Sequence, residues 1–219
     1  MTAKDEDILT SQSLLERGLA LDRLLQNVLI DKRIDVRSLL RGDKDALLIA
    51  CRKYGYGVDY EVEIMCNSCF EDNQHTFDIS EWKTKDVIKD EKLDYKEDGA
   101  FFSTILPSSR VEVYFKLLTS YETSKIEKKI EENKNNKQLE SYNALFLSSI
   151  LVSVAGYNDS TSIKNFIEGV PAKDALFLRN LYEHVEPKLS TNCLFVCKHC
   201  KTQEDLEVPL GPDFFWPKR

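Results

Sequence analysis

The sequence predicts an α+β fold: a mostly helical body, a split zinc-ribbon-like pair of β-knuckles and one extra β-hairpin. Three observations predict it. First, Cys66-Asn-Ser-Cys69 and Cys197-Lys-His-Cys200 each follow one alternating run and precede another, 60–65 and 76–79 around the first, 193–196 and 206–208 around the second. That is strand, tight turn and returning strand, written twice. Second, runs with apolar residues at helical spacing fill most of the chain before the first hook and between the two. Third, Phe101-Phe-Ser-Thr-Ile-Leu106 and Arg110-Val-Glu-Val-Tyr-Phe115 flank Pro107-Ser-Ser109, a hairpin signal with no cysteine in it.

Two thiolates at CxxC spacing can point at one ion while the intervening amides donate to the sulfurs. Two such hooks complete a tetrahedral four-thiolate site. Cys66, Cys69, Cys197 and Cys200 are therefore the expected metal ligands, with Zn2+ as the expected ion and iron in a rubredoxin-like site as the chemical alternative. Four thiolates leave no open position for water, so the expected metal is structural and not catalytic. The competing readings are a redox CxxC or a pair of disulfides. A redox motif opens a helix whose end lowers a thiol pKa, and neither hook precedes a helical pattern.

Composition narrows the classes. A chain of 219 residues with 42% hydrophobic content can bury a real core. The opening Met1-Thr-Ala-Lys-Asp-Glu-Asp7 is polar and acidic, which is not a signal peptide. The longest apolar run, about 144–155, is interrupted by Ser148, Ser149 and Ser153 and falls short of a membrane span. A reducing cytosol is the expected site of synthesis, which favours metal thiolates over disulfides. A formal charge of −7 opposes general nucleic-acid binding, which needs a basic footprint.

In chain order, residues 1–10 read as a flexible tail. Residues 11–82 hold the N-terminal helices and the first knuckle. Ser11 or Ser13 caps a helix with Leu14, Leu15, Leu21, Leu24, Leu25 and Val28 on one stripe, weakened by Gly18. Asp43 caps the next, whose expected buried stripe is Leu47, Ala50, Cys51 and Tyr54, with Gly55 as its stop. Arg52 falls on another face and reads as exposed. Trp82 is expected to cover the ribbon. Residues 83–100 form a charged connector and 101–118 the extra hairpin. Residues 119–188 form a helical insertion: a projecting charged helix anchored by Ile126 and Ile130, a core helix over about 139–155, a short helix through Ile163 and Phe166, and a helix opened by Pro171. Residues 189–219 hold the second knuckle and an aromatic C-terminal tail. The segments 11–82 and 189–219 are expected to pack together as one domain.

The remaining candidate residues read as ordinary. Cys193 and Cys51 fit small core positions, and His75 and His199 sit beside the knuckles where four thiolates already suffice. No phosphate loop, G-x-S-x-G or H-E-x-x-H occurs, so no catalytic residue is assigned and the expectation is a protein that is not an enzyme. Phe214-Phe215-Trp216 near the end either plugs the protein's own core or binds a partner, because three adjacent aromatics rarely remain in water.

Gly42-Asp43 with Leu47, Arg52-x-Tyr54-Gly55, the tyrosine-bearing strand into Cys66-x2-Cys69, and Asp78-Ile-Ser80 together resemble the phage T4-type baseplate hub proteins of contractile-tailed bacteriophages. Ser153-Val-x-Gly156, Ile163-x2-Phe166-Ile167 and Phe214-Phe215-Trp216-Pro217 are similar too. The resemblance spans about 20–82 and 140–217. It implies a non-enzymatic structural or assembly protein of the tail baseplate hub, with other phage tail proteins as partners, in the virion baseplate or in the host cytoplasm during assembly. The alternative is a zinc-ribbon nucleic-acid-binding or transcription adaptor protein. The knuckles argue against it, offering Lys198 and Lys201 against Glu71, Asp72, Glu204 and Asp205.

Overall fold

The computed structural model describes residues 1–80, 82, 94–135, 142–208 and 210–215. The chain divides into two compact units. One comprises Met1–Val36, Gly42–Lys85 and Lys188–Arg219, the other Arg37–Arg41 and Asp86–Pro187. The first carries both knuckles. Of the expected connector, residues 83–93 lie outside the described residues.

The first unit opens on helix α1, Ala3–Thr10, where a flexible tail was expected. Its start is a capping box between Thr2 and Asp5, in which Asp5 Oδ2 accepts from the Thr2 amide at 2.7 Å and from the Thr2 hydroxyl at 3.0 Å. Asn27 donates to the other Asp5 oxygen, and Leu9 is fully buried. The single helix expected to follow is two, α2 (Gln12–Glu16) and α3 (Ala20–Val28). Gly18 between them adopts φ +66°, a backbone that glycine tolerates and that ends a helix.

Helix α4, Arg41–Tyr56, begins before Asp43, which lies in its first turn. Its buried face is Leu48, Ile49 and Arg52, while Tyr54 is 93% exposed. The helix is thus rotated from the expected stripe, and the reason is Arg52. Far from being exposed, its guanidinium donates to three main-chain carbonyls: Gly57 at 2.9 Å, Asp59 at 2.8 Å and Phe214 at 3.2 Å. A buried cation is tolerated when its donors are satisfied.

After the turn at Gly57 (φ +89°) come β1, Asp59–Met65, and its antiparallel partner β2, Asp72–Asp78, in a register that pairs Tyr60 with Phe77 and Met65 with Asp72.

The second unit is built on an antiparallel sheet of order β3-β4-β5-β6: β3 is Lys96–Asp98, β4 Phe101–Ile105, β5 Glu112–Lys116 and β6 Leu151–Val154. The extra hairpin is the β4–β5 pair, extended by a strand on each side. Helix α5, Ser120–Asn135, carries the charged run. Among the described residues helix α6 covers Tyr142–Ile150, and its expected start near residue 139 lies outside them. The expected continuation to residue 155 is strand β6, which pairs Val154 with Val113 and Leu151 with Phe115. Leu151-Val-Ser-Val154 suits a pleated, half-buried surface. The chain reverses at Ala155 and Gly156, both at positive φ, with mutual hydrogen bonds between Val154 and Tyr157, the geometry of a tight hairpin turn. Helices α7 (Ser160–Gly169) and α8 (Ala172–Val185) follow, α7 capped by Asp159, whose side chain accepts from the Ser162 amide at 2.9 Å. Phe102, Val113 and Phe115 from the sheet pack with Phe146, Ile150, Leu178, Leu181 and Tyr182 from the helices.

The chain returns to the first unit through β7, Asn192–Val196, and β8, Gln203–Glu207, antiparallel with Val196 opposite Gln203.

Candidate metal centre

Each CxxC is the turn of a two-stranded hairpin, and the two turns are built alike. The Cys66 amide donates to the Glu71 carbonyl at 3.0 Å and the Phe70 amide to the Cys66 carbonyl at 2.9 Å. The Cys197 amide donates to the Thr202 carbonyl at 2.9 Å and the Lys201 amide to the Cys197 carbonyl at 3.1 Å. Phe70 and Lys201, four residues beyond the first cysteine of each hook, take the left-handed backbone at φ 58° and 64°. Neither is glycine, so each turn stores some strain. What it achieves is to place two sulfurs of a short loop on one side of the main chain.

The same turn occurs a third time without cysteine. In Leu106-Pro-Ser-Ser109-Arg110, the Leu106 amide donates to Val111 at 2.9 Å, the Arg110 amide to Leu106 at 3.1 Å, and Arg110 has φ 58°. Here the loop amides meet a carboxylate: Ser108 N donates to Asp174 Oδ1 at 2.7 Å and Ser109 N to Asp174 Oδ2 at 2.8 Å. Asp174 is fully buried. Burial alone would raise its carboxyl, but the amides of Ser108 and Ser109 hold it below the ordinary aspartate range.

The four hook sulfurs converge. Cys66 Sγ lies 3.6 Å from Cys200 Sγ and Cys69 Sγ 3.6 Å from Cys197 Sγ. All four lie within 4.8 Å of one another. Bonds of about 2.3 Å from a tetrahedral ion place sulfurs about 3.8 Å apart, so this donor set fits one metal ion. Cys193 stands outside the group, half-buried on β7 beside Trp82, with its thiol pushed up by burial. His199 is exposed. His75 packs its ring on Phe77 and Phe195, and burial followed by the nearby Lys198 lowers its pKa. Cys51 is half-buried on α4 with its thiol raised by burial.

The electrostatics of the cluster are compatible with a cation. Cys200 is brought down to about 6, first by the Thr202 hydroxyl and then by the Thr202 amide. At Cys69 the Glu71 amide pulls downward, but burial and the sulfurs of Cys200, Cys197 and Cys66 outweigh it and push the thiol up to about 12. Four thiolates this close repel one another, so some retain protons until a divalent ion supplies the compensating charge.

The knuckles also brace each other. Asn73, 2% exposed, accepts from the Lys198 amide at 2.7 Å and donates to the Glu71 carbonyl at 2.9 Å. Asn67 donates to Glu204 at 2.8 Å across the same junction. Sequence reasoning missed Asn73, whose only signal is a polar residue at an inward position of β2.

Behind the knuckles sits the aromatic tail. Phe214 and Phe215 are 1% and 0% exposed. Phe214 stacks on Trp82 (5.9 Å, 12°) and tilts against Tyr60 at 5.1 Å. Of the two outcomes open to this tail, both rings take the internal one, and neither is offered to a partner as exposed surface. Trp216 lies outside the described residues.

The model of the family described as T4 bacteriophage base plate protein matches residues 1–216. The chain belongs to the T4 bacteriophage base plate protein family. The match includes both CxxC hooks, the α4 arginine and the aromatic tail, so the four-cysteine cluster and its backing lie inside the family's own span. No curated protein and no solved structure matches the chain significantly. No described helix of this base plate family member is long and apolar enough to cross a membrane.

Proposed function

We propose that this base plate family member is a non-enzymatic structural or assembly protein of the tail baseplate hub, acting through contacts with other phage tail proteins. The observation that carries the reading is family membership over nearly the whole chain. The closed four-sulfur set supports it, because the centre offers structure and no open coordination position. Zn2+ is the ion we assign, held by Cys66, Cys69, Cys197 and Cys200. It joins segments far apart in the chain and thereby shapes the surface that meets partners. The protein acts in the virion baseplate, in the host cytoplasm during assembly, or in both.

The nucleic-acid alternative is disfavoured by charge. Strands β1, β2, β7 and β8 carry Asp59, Glu61, Glu63, Asp72, Asp78, Glu204, Asp205 and Glu207 and no lysine or arginine. Phosphate binding needs the opposite sign. Mass spectrometry of purified particles and of tail-assembly intermediates from infected cells tests the proposal. The protein is expected in the intermediates together with hub components. Its absence from both fractions would overturn the hub role.

A further inference from the structure

We propose that the four-cysteine centre has a second, covalent way of closing: when the metal is lost under oxidising conditions, disulfides form across the knuckles, Cys66 with Cys200 and Cys69 with Cys197. Two sulfur pairs of the cluster stand at 3.6 Å and both run across, Cys66 to Cys200 and Cys69 to Cys197. The turns explain the choice. Within a hook, two main-chain hydrogen bonds fix the loop, and the Ser68 amide holds Cys66 Sγ at 3.4 Å, so the sulfurs aim at the shared centre. A crossed pair needs its sulfurs to close from 3.6 Å to about 2.05 Å.

The oxidant is a small-molecule disulfide, for which oxidised glutathione serves. Were an ion bound, its four thiolate ligands would take up four protons from water as it left. The Cys200 thiolate, on the exposed cysteine of the group, attacks one sulfur of the oxidant and expels a glutathione thiolate. Cys66 then attacks the Cys200 sulfur and expels the second. Cys69 and Cys197 repeat the cycle with a second oxidant molecule. Four protein thiols become two disulfides, two glutathione disulfides become four glutathiones, and the four thiol protons end on the expelled thiolates.

The consequence lies in the topology. The crossed bonds link residues 134 and 128 positions apart, the same segments that the metal joins. Bonds within a hook would close only a turn and release the clasp. A protein carried in a particle from a reducing cytoplasm to an oxidising exterior would keep its closure in both, a use that rests on the virion location proposed above.

The full-length protein, treated with a chelator and oxidised glutathione, is digested with trypsin without reduction and mapped by mass spectrometry. Cleavage after Lys198 separates Cys197 from Cys200, and fragmentation at Asn67–Ser68 separates Cys66 from Cys69. The expected result is the first-hook peptide joined to both second-hook peptides, with Cys66 to Cys200 and Cys69 to Cys197. In a second arm, C69S/C197S is expected to form its remaining bond, whereas C69S/C200S forms none. Disulfides within the hooks, the opposite crossed pairing, or stable glutathione adducts would overturn the proposal. Metal content measured before oxidation is a separate readout: a metal-free preparation would remove the zinc assignment and leave the disulfide test intact.

Discussion

Arg52 Nε donates to the main-chain carbonyl of Phe214 at 3.2 Å, tying helix α4 to a residue 162 positions away. The same guanidinium holds the Gly57 and Asp59 carbonyls at the entrance to β1. One side chain therefore fixes the start of the first knuckle and the C-terminal aromatic segment together. Both ends of this contact belong to motifs that carry the family resemblance, which gives Arg52-x-Tyr54-Gly55 and the Phe214-Phe215 tail a shared physical reason.

Replacing Arg52 tests that relationship. Arg52→Met keeps much of the volume but leaves three carbonyls without their donors, and the expected loss is about 2–4 kcal/mol. Arg52→Lys recovers only part of it, because an ammonium does not reproduce the planar fork. Urea unfolding of the purified variants measures both. Equal stability of wild type and Arg52→Met would contradict the role.

Asp174 makes a prediction with a pH sign. Its folded-state pKa lies below the ordinary value, so its contribution is present above about pH 3.9 and fades as pH falls through the lower folded value. Asp174→Ala, which strands the Ser108 and Ser109 amides, is expected to cost about 2–4 kcal/mol near neutrality. The stability gap between wild type and Asp174→Asn should narrow as the pH is lowered through the aspartate range. A gap independent of pH would show that the carboxylate charge plays no part.

Asn73 braces the second knuckle against the first. Asn73→Ala is expected to weaken metal binding by about 10–100-fold while leaving the four ligands in place, the usual effect of removing a group that orients ligands from behind. Competition with a chromophoric chelator reads the affinity directly. An unchanged affinity would mean that the Lys198 amide finds another acceptor at no cost.

Removing a ligand acts on the whole first unit. Cys69→Ser and Cys200→Ser each leave three thiolates, and because metal binding and folding are coupled the thermal transition should fall as far as it does when wild type is treated with a strong chelator. If either substitution left the transition of the metal-loaded protein where it was, the centre would not be holding the unit together.

The knuckles were legible because their signal is local: two thiols at fixed spacing, alternating residues on either side, and a turn between. The face of α4 was not. Ala46-Leu-Leu-Ile-Ala-Cys51 is apolar throughout and accommodates several buried stripes, and the one observed is selected by three carbonyls supplied from elsewhere in the chain. Strand β6 was hidden because 151–154 continues the apolar pattern of α6, and its pairing partner, β5, lies far back in sequence. Helix α1 was masked by its acidic composition. Its decisive features are the Thr2–Asp5 capping box and the distant Asn27, which turn a charged opening into an anchored helix. Asp174 gave no sequence signal, because the two amides that it accepts from come from a loop of the β4–β5 hairpin about 65 positions earlier.

The four sulfurs converge as they would around one structural metal ion, with no other described side chain in the group. X-ray absorption at the zinc edge, on full-length protein purified without added metal and with its metal content determined on the same sample, tests for that ion most directly. One zinc per chain with four sulfur neighbours at about 2.3 Å is expected. A preparation without metal, or a coordination shell containing imidazole nitrogen or oxygen, would contradict it.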